Sequence, residues 1–96
     1  MTTLEASQRA LVRALLERRV PGVEARVFGS RVRGDARPYS DLDLAIVGDA
    51  PFPRVTLWAL EEDFAASDLP FRVDLVDWNR LSESFRAHIE RRYERL

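Results

Sequence analysis

Apolar residues recur at helical spacing near the start of the chain. Leu4, Leu11, Val12 and Leu15 form one stripe, and Thr2 and Glu5 stand at capping-box spacing, so residues 2–19 predict a helix. Pro21-Gly22 stops it. "VEARVF" (23–28) alternates enough to predict a strand, and Gly29-Ser30 then opens a short helical turn. Gly34 and Pro38 mark a loop. "DLDLAIV" (41–47) is the clearest strand, with Leu42, Leu44 and Ile46 turned to the core. "GDAPFP" (48–53) is a turn, and a helix begins near Pro53 and runs to about Ser67, with Leu57, Leu60 and Phe64 on one side. "FRVDLVD" (71–77) predicts a third strand, and "LSESFRAHIERRYERL" (81–96) a final helix with Leu81, Phe85, Ile89, Tyr93 and Leu96 near one face. The order α-β-α-β-α-β-α predicts an α/β (α+β) fold. Its expected form is a small mixed three-stranded sheet packed with helices, in one domain spanning residues 1–96.

Composition narrows the function. The chain has 96 residues, 46 % of them hydrophobic, which suffices for a modest core. A net charge of −1 supplies no general basic field, so direct nucleic-acid binding is not expected. No apolar run approaches the ~20 residues of a membrane span and "MTTLEASQ" has no signal-peptide pattern, so a soluble, cytoplasmic protein is expected. With no cysteine, disulfides and thiolate metal sites are excluded. All 15 basic residues are arginine, so any cationic phosphate contact is made by a forked guanidinium.

Chemistry concentrates in "FGSRVRGDARPYSDLDLAIV" (28–47). In a strand, residues i and i+2 share a face about 6.5–7 Å apart, so Asp41 and Asp43 point together, away from Leu42 and Leu44. Asp74, flanked by Val73 and Leu75, projects likewise from the third strand. If those strands are neighbours, three carboxylates meet on one patch. Such groups repel unless one takes a proton or a divalent cation neutralises them, and hard oxygen ligands suit Mg²⁺ or Mn²⁺. The plainer reading makes Asp41 a turn residue after Ser40 and gives Asp74 an arginine partner.

Gly29-Ser30 follows a strand and precedes a helical turn, which places backbone N–H groups and a hydroxyl where an anion can sit. Ser30 serves equally as an ordinary helix N-cap. Arg31, Arg33 and Arg37 are open between a solvated loop and a phosphate role; Arg33 and Arg37 can pair with Asp35 or reach a nucleotide. His88, the single histidine, reads as an ordinary helix residue. An exposed Trp58 would suit a partner surface.

Together these residues resemble the nucleotidyltransferase superfamily, which has the DNA polymerase β-type catalytic core. The signature is a Gly-Ser pair, a spacer, a D-x-D on the next strand and a later carboxylate. Here it is Gly29-Ser30, residues 31–40, Asp41-Leu42-Asp43 and Asp74. The string "GSRVRGDARPYSDLDLAIV" is most similar to the minimal nucleotidyltransferase (MNT) subgroup of bacteria and archaea, closely over residues 24–77 and more loosely over both end helices.

The resemblance implies Gly29, Ser30, Arg33 and Ser40 at the nucleotide. It implies Asp41, Asp43 and Asp74 as metal ligands and catalytic residues, with Mg²⁺ or Mn²⁺ as cofactor and ATP as substrate. An acceptor hydroxyl would attack the α-phosphate, and pyrophosphate would leave. The chain lacks an obvious acceptor domain, so another polypeptide is expected to complete that site. MNT proteins are often paired with a HEPN-type toxin, onto whose tyrosine they transfer AMP as antitoxins, and the resemblance implies that role here. The alternatives are an antitoxin that masks its toxin without catalysis, and a transferase acting on a small molecule.

Overall fold

A computed structural model describes residues 4–96. Helix α1 covers Ala6–Arg19, strand β1 Glu24–Phe28, helix α2 Ser30–Arg33, strand β2 Leu42–Val47, helix α3 Arg54–Ala65 and strand β3 Val73–Asp77. A 3₁₀ turn at Trp78–Arg80 leads to helix α4, Glu83–Glu90, and the chain closes on strand β4, Glu94–Arg95. The Thr2 end of the expected capping box lies outside the described residues. Instead Glu5 caps α1, its backbone N–H donating to Gln8 Oε1 at 3.1 Å.

The strands lie in the order β3-β2-β1-β4. β1 runs antiparallel to β2 and β4, whereas β2 and β3 are parallel, joined through α3 as a parallel pair requires. The sheet is mixed, as expected, but has four strands rather than three.

The difference arises in the last segment, where the helix predicted over 81–96 stops at Glu90. Val27 pairs with Glu94 and Arg26 with Arg95, and Leu96 N–H donates to Ala25 O at 2.9 Å. The Tyr93 ring lies 4.6 Å from the Arg26 guanidinium, and Arg95 bridges to Glu24 at 2.9 Å. Continuing the helix would leave the outer edge of β1 unpaired; the C-terminal segment covers it.

Alternation along the strands sorts the two faces. Ala25, Val27, Leu42, Leu44 and Ile46 point to one side and meet Val12 and Leu16 of α1 and Leu60 and Phe64 of α3 in the main core. Phe28 and Ala45 point to the other side, where Ile89 of α4 buries them with Val76, Trp78 and Tyr93 at the margin. This second cluster is small and covers only part of its face.

Candidate active site

The part of the second face that α4 leaves bare carries the acidic residues. Asp43 pairs in register with Asp74 across the parallel β2–β3 ladder, so both side chains leave the sheet on the same side, next to each other. Phe28 is the partner of Asp43 on β1. One step further along β2 and β3 lie Ala45 and Val76, which belong to the cluster under α4. Asp41 precedes β2 and is exposed; Arg72 approaches its carboxylate at 3.4 Å. The adjacency of the second and third strands, left open by the sequence, is therefore present.

Charge joins the three. Burial raises the Asp43 carboxyl above its ordinary range, and the negative charges of Asp74 and then Asp41 raise it further, against the opposing pull of Arg33. Asp43 therefore loses its proton reluctantly beside two other carboxylates. Among the described residues, no three His, Cys, Asp or Glu side chains are already gathered as a metal cage. The donor set is nonetheless hard oxygen throughout, and it repels itself. A divalent cation would relieve that repulsion, so the residues fit Mg²⁺ or Mn²⁺ in chemical type.

Gly29 stands directly against this carboxylate set. Its φ is +78°, and a Cβ built there would overlap Asp43 Oδ2. Only glycine both adopts the backbone and leaves room for Asp43. Gly29 is also the residue that caps α2; no side chain closes that end, so the Ser30 hydroxyl is not the N-cap considered from the sequence. Gly34, at φ +89°, ends α2 in the left-handed conformation.

The arginines divide by burial. Arg31 is only 2 % exposed. Its guanidinium donates to Ser40 O at 2.7 and 3.1 Å and to Pro38 O at 3.1 Å, and lies 4.1 Å over the Phe71 ring. It ties α2 to the loop that delivers Asp41 and β2. Arg33 is exposed and pairs with Asp35 at 3.6 Å, while its charge still acts on Asp43. Arg37 is exposed, and its backbone N–H donates to Ser40 Oγ at 2.8 Å. Ser40 thus serves the loop through both its hydroxyl and its carbonyl, directly before Asp41.

β3 carries a second aspartate with a different task. Asp77 is buried, accepts from the Phe52 and Asn79 amides at 2.8 and 3.1 Å, and meets Arg80 at 3.4 Å. It anchors the turn after β2 to the end of β3. His88 is exposed on α4, its ring edge-on to Phe85 at 6.1 Å. Sequence reasoning missed the Arg31 staple: three arginines in one short segment look alike until burial separates them.

Comparisons with known proteins bear on the family and the fold. The model of the nucleotidyltransferase domain family matches residues 9–96. The chain is 44 % identical over 90 residues to the Probable protein adenylyltransferase MntA of Haemophilus influenzae, covering 94 % of this chain and 79 % of that one. A toxin–antitoxin complex solved with AMP-PNP contains a chain that superposes with a TM-score of 0.75 at 25 % identity, over 90 % of this chain and 69 % of that one. A tri-AMPylated Shewanella oneidensis HEPN toxin in complex with MNT antitoxin gives a TM-score of 0.66 at 25 % identity, over 91 % and 70 %. With the family model matched over residues 9–96 and a relative 44 % identical over nearly the whole chain, this chain belongs to the nucleotidyltransferase domain family.

Proposed function

We propose that this protein transfers AMP from ATP to a hydroxyl, that of a tyrosine, on a HEPN-type partner protein, and that it acts as the partner's antitoxin. The observation that carries the reading is the pairing of Asp43 with Asp74 on one face of the sheet, just after Asp41, beside Gly29, a glycine whose missing side chain makes space for Asp43. The adenylyltransferase relative and the AMPylated HEPN toxin support the reaction type and the class of partner.

In this reading Asp41, Asp43 and Asp74 hold Mg²⁺, or Mn²⁺ in its place. When bound, the metal neutralises the carboxylates and the phosphates and favours departure of pyrophosphate. The residues of the chain do the rest. Gly29 and Ser30 receive the triphosphate, with Arg33 and Ser40 on the loop side. Asp74 orients the acceptor hydroxyl and takes up its proton. The acceptor oxygen forms a bond to the α-phosphorus as the bond from that phosphorus to the bridging oxygen of the β-phosphate breaks. AMP becomes attached to the acceptor and pyrophosphate leaves. Most of the acceleration comes from positioning and from charges fixed in advance.

The test is to incubate the purified protein with α-labelled ATP, Mg²⁺ and the product of its neighbouring gene. Label should appear on a tyrosine of the partner with the wild type and not with Asp41→Ala. No label from either protein would remove the enzymatic reading. If Asp43→Asn still neutralised the toxin in cells, neutralisation by masking would replace it.

A further inference from the structure

The site residues stand in order across the sheet: Gly29 at the end of β1, Asp43 on β2, Asp74 on β3. If the phosphates lie at Gly29 and the hydroxyl is activated at Asp74, the acceptor arrives over β3, the open edge of the sheet. A docking role for that edge rests on this reading of the site.

Along this edge runs a groove of about 680 Å³ between β3 and α3. Trp58, Glu61, Glu62 and Ala65, at helical positions i, i+3, i+4 and i+7, form its α3 wall. Phe64 and Phe71 are buried beneath the groove, and Asp74 borders it along β3 with its side chain on the opposite face of the sheet, beside Asp43. Trp58 is 63 % exposed, a large ring left in water. The backbone of the edge is open as well. Arg72 O accepts from Leu42 N–H at 2.8 Å, and in a parallel pair the alternate residues Val73 and Leu75 then turn their peptide groups away from β2. The charge is mostly of one sign. Among the described residues that line the groove, Glu61 and Glu62 on α3 stand against a single cation, Arg72, whose guanidinium lies 3.4 Å from the Asp41 carboxylate.

We infer that this groove docks the acceptor polypeptide, and that the segment it takes is extended and basic, with arginine or lysine flanking the hydroxyl-bearing residue. Cations pair with the two glutamates and stack on the indole of Trp58. A peptide backbone adds to the free edge of β3. The hydroxyl is thereby delivered next to Asp74, whereas an acidic segment is repelled.

The test reads docking apart from transfer. The chain has two tryptophans, so Trp78→Phe leaves Trp58 as the reporter of the groove. Tyrosine peptides flanked by arginine, by serine or by glutamate are titrated against the full chain loaded with AMP-PNP. Anisotropy of the same peptides, fluorescein-labelled, on the protein with both tryptophans gives a readout independent of the Trp78 change. The arginine peptide should shift Trp58 emission to the blue, bind about tenfold or more tighter than the glutamate peptide, and weaken with added salt. Glu61→Arg combined with Glu62→Arg should reverse the preference and leave AMP-PNP affinity unchanged. No peptide binding, equal binding of the arginine and glutamate peptides, or an arginine preference that survives the double reversal would overturn the inference. Arginine-selective binding without AMP transfer from ATP would keep the groove and remove the transferase. Transfer that ignores the charge reversal would keep the transferase and remove the groove.

Discussion

Gly29 and Asp43 occupy the same small volume from opposite sides, and this makes two substitutions informative. Gly29→Ala adds a methyl group where Asp43 Oδ2 already lies and forces alanine into a positive φ. We expect a loss of about 1–3 kcal/mol in urea unfolding, typical of strain at such positions, and AMP transfer reduced together with it. Asp43→Asn acts in the opposite direction on stability. It removes one member of a repelling set, so the melting temperature at pH 7 should rise while transfer falls by about 10²-fold or more. A variant that is less stable and also inactive would mean that Asp43 is held by attractive contacts. Arg31 makes a third case. Arg31→Met leaves the Ser40 and Pro38 carbonyls without their guanidinium, at a cost of about 1–3 kcal/mol. Amide exchange should quicken over residues 36–41 before it quickens in β2. The aspartates and the glycine were legible because their spacing is itself the signal. Arg31 was not, since its role depends on burial that no spacing reveals.

At the scale of elements, sequence and structure agree where a segment has one strongly preferred partner. β2 is plain because Leu42, Leu44 and Ile46 are all fully buried and alternate without a break. α1 and α3 are plain because each sets one stripe on the core. The last sixteen residues mislead for a physical reason. Leu81, Phe85, Ile89, Tyr93 and Leu96 have helical spacing, but the helix ends at Glu90, and the unpaired edge of β1 captures the residues beyond it, where Tyr93 and Leu96 are half-buried. Helical periodicity carries no information about a waiting sheet edge. The same contrast predicts two energies. Ile89 is the buried residue of α4, whereas Phe85 is 41 % exposed and makes an edge-to-face contact with Phe28 at 6.0 Å. Ile89→Ala should cost about 2–5 kcal/mol, and Phe85→Ala about 0.5–1.5 kcal/mol. Chemical denaturation of the two variants checks the ranking; a larger loss at Phe85 would place the weight of α4 on its outer ring.

Over the whole molecule, acidic groups act on stability with opposite signs, and pH separates them. Glu24, on β1, is held below its ordinary value of 4.5 chiefly by the Arg26 hydrogen bond, with burial opposing and Arg95 assisting. Its ionised form is favoured by folding. Its contribution is complete above pH 4.5 and fades as pH falls through the folded value. Asp43 is raised above 3.8, so the folded state takes up its proton first, and the repulsion it causes at pH 7 disappears on acidification. Melting temperatures measured from pH 7 down to pH 3 should therefore diverge by variant. Glu24→Gln should lower stability at neutral pH and flatten the acid limb, because the proton-linked loss has already been taken. The gain from Asp43→Asn should be greatest near neutrality and shrink as pH drops, because the wild type neutralises the same carboxylate by protonating it. An Asp43→Asn advantage constant across that range would mean that the carboxylates do not sense one another, and the basis for placing a cation among them would go with it.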